Sequence, residues 1–121
     1  MVVMEPITLE ATSAVAPYEQ VREQIRAQVA TGALAPGTRL PPVRRLADDL
    51  GLAANTVARA YRELEALGVI ETRGRAGSIV SGDGVERAAR EAAAAYAERM
   101  RALGVGEAEA IDLVRRAITR A

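Results

Sequence analysis

Two amphipathic helical stretches separated by three residues constrain this chain more than any other feature. Val43, Leu46, Ala47 and Leu50 form one apolar stripe, which Gly51 stops. Val57, Ala60, Tyr61, Leu64 and Leu67 recur at i, i+3, i+4, i+7 and i+10 and form the next, which Gly68 stops. Only Gly51-Leu52-Ala53 lies between them, a tight turn of the helix-turn-helix kind.

The flanks extend the pattern. Pro17 suits the first turn of an upstream helix that Val21, Ile25, Gln28 and Val29 continue and Gly32 ends. Ala35-Pro36-Gly37-Thr38 is a turn, and Pro41-Pro42 precedes the second helix. Val69-Ile70-Glu71-Thr72 and Ser78-Ile79-Val80-Ser81 read as strands joined by the turn Arg73-Gly74-Arg75-Ala76-Gly77. Before all of this, Ile7-Thr8-Leu9-Glu10 alternates as an edge strand would, and the rest of residues 1–16 reads as an arm. After Gly82 the composition shifts to Ala, Arg and Glu. Val85, Ala89, Ala92, Tyr96 and Leu103 mark a long helix, Gly104-Val105-Gly106 breaks it, and Ala110, Ile111, Val114, Ala117 and Ile118 line a last one. The expected fold is mainly α with a small β-hairpin wing. It is a winged helix-turn-helix over residues 1–82 followed by a two-helix C-terminal tail over 83–121.

Composition narrows the chemistry. The 121 residues include no Cys and no His, which excludes thiol catalysis, disulfides, Cys/His zinc sites and histidine acid/base work. All sixteen basic residues are arginine, so there is no lysine for a Schiff base or a P-loop. Phe and Trp are absent, and three tyrosines are too few for a base-stacking sheet. An enzyme is not expected, and neither is a cofactor. The carboxylates Asp83, Glu86, Glu91, Glu98, Glu107, Glu109 and Asp112 are interleaved with arginines and read as solvated helix faces rather than a metal site. Met1 to Glu10 lacks a basic n-region, and the longest uncharged run, Ala27 to Thr38, is broken by Gly32, Pro36 and Gly37. A soluble, cytoplasmic chain with no membrane partner is expected.

Net charge is zero, but it is distributed unevenly. From Arg39 to Arg75 seven arginines face five acids, a net of +2, while the remainder carries −2. In a helix-turn-helix the second helix enters the major groove with its N-terminal residues on base edges. Here that helix opens with Asn55 and Thr56. Asn can pair with adenine in two hydrogen bonds, and Thr offers a hydroxyl and a methyl. Arg59 and Arg62 follow on a face suited to phosphates. Arg44 and Arg45 open the preceding helix, where two cations oppose the dipole unless an anion joins them. Arg73 and Arg75, with Gly74 and Gly77, form a hairpin tip able to enter a minor groove or grip backbone. Read alone, Asn55 and Thr56 also suit the solvated start of any amphipathic helix. An interaction module whose arginine face binds protein therefore stays open at this level.

Together these residues resemble a known family. The strings are Leu40-Pro41-x-Val43-Arg44-x-Leu46-Ala47-x-x-Leu50-Gly51, Asn55-Thr56-Val57-x-Arg59-Ala60-Tyr61-x-Glu63-Leu64-Glu65-x-Leu67-Gly68 and Ile70-Glu71-Thr72-Arg73. With Pro17-Tyr18-Glu19-Gln20 and Gly32-x-Leu34-x-Pro36-Gly37 upstream, residues 15–81 resemble the DNA-binding domain of GntR-type bacterial transcription regulators. The short tail makes the chain most similar to the YtrA subfamily. That resemblance implies a dimeric repressor of a pseudo-palindromic operator, commonly of a transporter operon. It carries DNA contacts onto Arg44, Asn55, Thr56 and the wing from Arg73 to Gly77.

The chain also departs from that pattern. Ala53 cannot cap the recognition helix, at a cost of ~1 kcal/mol. Ala54 and Ala58 stand where some branches place arginine, and Ile79 replaces a wing aromatic. The operator sequence is therefore not transferable, and no small-molecule effector is identified. The seam expected to join two copies is Val85, Ala89, Ala92, Tyr96, Met100 and Leu103, completed by Ile111, Val114 and Ile118.

Overall fold

The structure is a computed structural model that describes residues 4–120; residues 1–3 of the expected arm and Ala121 lie outside them. The chain divides into two compact units, one ending at Glu86 and one starting at Arg87. Among the described residues no helix is long and apolar enough to cross a membrane.

The first unit is built from three helices and a hairpin. α1 (Pro17–Ala30) starts on proline and buries Val21, Ile25 and Gln28. α2 (Val43–Leu50) buries Leu46 and Ala47 and ends on Gly51. Gly51 has φ 68°, a left-handed conformation that costs a non-glycine residue about 1 kcal/mol or more. There the Gly51 and Leu52 amides cap the carbonyls of Asp48 and Ala47 at 3.3 and 2.9 Å and turn the chain into α3 (Ala54–Ala66). As the sequence suggests, Ala53 provides no side-chain cap.

α1 and α2 both pack on α3. Val57, Ala60 and Leu64 meet Val21, Ile25, Leu34 and Ile70 in one core. Each such large aliphatic contributes roughly 1.5–3 kcal/mol by leaving water. Leu67 departs from the expected stripe. It caps the end of α3 and is half exposed, because the chain has already turned away from the core there.

β1 (Ile70–Thr72) pairs antiparallel with β2 (Ser78–Val80), placing Ile70 opposite Val80 and Thr72 opposite Ser78. A single 3₁₀ turn, Gly74–Ala76, forms the tip. Arg39 adds a bridge to Ile79, with Leu40 N–H on Ser78 O and Val80 N–H on Thr38 O, both at 2.9 Å. The wing therefore gains a short third edge that the turn signature alone does not announce.

Residues 7–10 are not a strand. Ile7 plugs into the core, and the arm is held by a glutamine ladder along α1. Gln28, Gln24 and Gln20 each both accept and donate through the carboxamide. They accept from the amides and donate to the carbonyls of Glu5, Thr8 and Glu10 respectively, at 2.7–3.1 Å. A side-chain amide has the same donor–acceptor pair as a backbone edge, so the ladder replaces a neighbouring strand.

The chain then enters α4 (Gly84–Ala102), turns at Gly104, and continues as α5 (Glu107–Arg120). Gly84 belongs to the first unit: its backbone lies directly against that of Gly68, so the unit boundary falls four residues after the expected one. Within the second unit the Tyr96 hydroxyl donates to Ala110 O at 2.7 Å, tying α4 to α5.

Candidate nucleic-acid interface

The start of α3 is free of the core. Ala54 and Asn55 are exposed and Thr56 is partly so, while Val57 behind them is fully buried. The helix is thus anchored by one face and presents its first turn to solvent. Arg62, one turn beyond Ala58, is exposed as well. At the N-terminus of α2, Arg44 and Arg45 are exposed and Val43 faces inward. The turn at Gly51 joins these two helices within the first unit.

The arginines of the Arg39–Arg75 stretch fall into two groups. Among the described residues Arg39, Arg44, Arg45, Arg62 and Arg75 make no ion pair. Arg73 pairs with Glu71 of its own strand at 2.7 Å. Arg59, whose side chain is about half exposed, makes contacts within the molecule that its spacing does not reveal. Its guanidinium lies 3.7 Å over the Tyr18 ring, and its Nε donates to Glu63 at 3.2 Å. Glu63 also accepts from Arg22 of α1, and that bond above all holds its carboxyl below the usual carboxylate value.

The wing tip carries Arg73, Gly74 and Arg75 exposed, with Gly77 partly covered by Arg39. Arg39 lies within the basic stretch but was not singled out as a site residue. Its guanidinium reaches the wing because its backbone pairs with Ile79, a long-range register that spacing does not reveal. Among the described residues no cluster of acidic side chains is arranged to hold a metal ion.

Comparison with known proteins decides the family. The family described as bacterial regulatory proteins, gntR family, matches residues 17–80, more than half of the chain. The chain belongs to the GntR family. As a GntR protein it is a DNA-binding transcriptional regulator. It is 52% identical over 95 residues to the HTH-type transcriptional regulator Rv1152 of Mycobacterium tuberculosis, covering 78% of each chain. It is 42% identical over 76 residues to the HTH-type transcriptional repressor YtrA of Bacillus subtilis, covering 62% of this chain and 58% of that one. Among solved structures it is similar to YtrA from Sulfolobus acidocaldarius, a GntR-family transcription factor. That match has a TM-score of 0.65 and 28% identity, over 95% of this chain and 98% of the other.

The expected dimer residues occupy several environments. Tyr96, Met100 and Val114 are partly buried where α4 meets α5, lining a groove of about 550 Å³ with Val105, Ala110 and Ile111. Leu103, Ile111 and Ile118 are exposed, as are Ala89 and Ala92. Val85 is exposed and belongs to the first unit.

Proposed function

We propose that this GntR protein is a homodimeric repressor that reads a pseudo-palindromic operator. The observation that supports this most is that two helix starts of the first unit face solvent, Arg44 and Arg45 on α2 and Asn55 and Thr56 on α3. In this reading Asn55 and Thr56 meet base edges, while Arg44, Arg45 and Arg62 neutralise phosphates. The wing, from Arg73 through Gly74 and Arg75 to Gly77, grips the neighbouring groove. The tail joins two copies through Leu103, Ile111 and Ile118. The name of the Bacillus subtilis relative supports repression over activation. A transporter operon is the regulated target that the resemblance favours.

Selected DNA sites should show dyad symmetry with half-sites about one helical turn apart, and log K should fall by ~0.9 per log salt for each neutralised phosphate. Asn55→Ala should lose about 1–3 kcal/mol on the preferred site and little on random duplex. Arg44→Ala should weaken binding to both and lower the salt slope by roughly one. Asymmetric selected sites, or equal losses for the two variants on both duplexes, would contradict these roles.

A further inference from the structure

Arg59 lies in the second turn of α3, three residues after Thr56, yet its cation is already occupied. It stacks 3.7 Å over Tyr18 and donates to Glu63 at 3.2 Å. Glu63 accepts in turn from Arg22, which also meets Glu19 and Glu23, and Glu23 takes Arg26 at 2.9 Å. Arg22, Arg26 and Arg59 against Glu19, Glu23 and Glu63 make a network with no net charge. Arg44, Arg45 and Arg62, by contrast, carry no internal counter-charge among the described residues.

Helix stability does not account for the Arg59–Glu63 pair. The arginine precedes the acid at i, i+4, the less favourable order, and both groups are open to solvent, where such pairs contribute little. The pair instead keeps the Arg59 cation neutralised within the molecule, on the same helix that opens with Asn55 and Thr56. We propose that Glu63 limits overall DNA affinity: it holds the Arg59 guanidinium on the Tyr18 ring and keeps that cation out of the phosphate interaction. Phosphate contacts carry no direct sequence information. Withholding one therefore lowers affinity for all duplexes while leaving the base readout of Asn55 and Thr56 intact. The inference rests on the DNA-reading role proposed above.

Glu63→Gln is the test, because its one carboxamide oxygen can still accept from Arg22 while the charge and the second acceptor that hold Arg59 are lost. Binding to a random duplex and to a selected site is measured from about 50 to about 200 mM salt. The variant should bind random duplex several-fold more tightly at the low end. Its salt slope should be steeper by about 0.9, an extra loss of about 3- to 4-fold across that range. Its preference for the selected site over random duplex should be unchanged. Adding Arg59→Ala to Glu63→Gln should return the slope to the wild-type value. If the Gln variant does not fold, Glu63→Met, of similar length and uncharged, reads the same slope. An unchanged slope, or a steeper slope that survives loss of Arg59, overturns the role of Glu63 while leaving DNA reading intact. Wild-type binding indifferent to salt overturns DNA reading and this role together.

Discussion

Tyr61 is mostly buried on α3, and its hydroxyl donates to Pro41 O at 2.6 Å, tying the recognition helix to the start of the preceding one. Burial disfavours the phenolate and raises the phenol above its ordinary value. The folded state therefore holds this proton more tightly than the unfolded chain does. The resulting stability is fully present below about pH 10 and is lost as pH rises beyond it. Tyr61→Phe should cost about 1–2 kcal/mol at neutral pH, because Pro41 O loses its donor. It should also flatten the alkaline side of the stability curve, as denaturant melts at pH 8 and above pH 10 would reveal. A variant as alkali-sensitive as wild type would show that another group governs that limb. The placement of Tyr61 in the core was legible from its helical spacing, but its partner was not. Arg59, expected on a face suited to phosphates, also makes contacts within the molecule that its spacing does not reveal, because Tyr18 and Glu63 come together only when α1 packs on α3.

At the scale of elements, the helices were readable because glycine and proline punctuate them and their apolar spacing has one period. What stayed hidden was held by polar or backbone contacts. Gln20, Gln24 and Gln28 carry no apolar signal, yet their carboxamides do for the arm what a neighbouring strand would. Gly84 is packed against Gly68 at the end of α3. A Cβ there would meet Gly68 O at 2.1 Å and Ser81 Oγ at 2.5 Å. The serine can rotate away, although it accepts from Gly84 N–H at 2.9 Å, whereas the Gly68 backbone cannot move so easily. Gly68 has φ 78° and would itself clash with the Gly84 carbonyl if substituted. Gly84→Ala should therefore destabilise by about 1–3 kcal/mol despite the better helix propensity of alanine, lowering Tm by roughly 5–15 °C. Gly82→Ala, with open space around it, is the control. Equal melting temperatures for the two variants would remove the close approach as a constraint.

For the molecule as a whole, the question is what the tail contributes. Every residue of the core cluster lies between Ile7 and Val80, so the hydrophobic core belongs to the first unit. The tail unit leaves large apolar side chains in water: Leu103 is 58% exposed and Ile118 71%. One winged unit meets one half-site, and joining two raises apparent affinity by about 10²–10⁴ when the geometry fits both. If the tail supplies that join, a chain ending at Glu86 should be a folded monomer whose operator affinity is lower by about that factor. The cut belongs after Glu86 and not at Asp83, because the shorter chain would lose the Gly68–Gly84 contact and confuse folding with assembly. In the full chain, Leu103→Arg or Ile118→Arg should likewise give monomers by sedimentation while leaving binding to a single half-site unchanged. Truncated protein that still sediments as a dimer would move the interface into the winged unit. The exposed Leu103 and Ile118 would then need another partner.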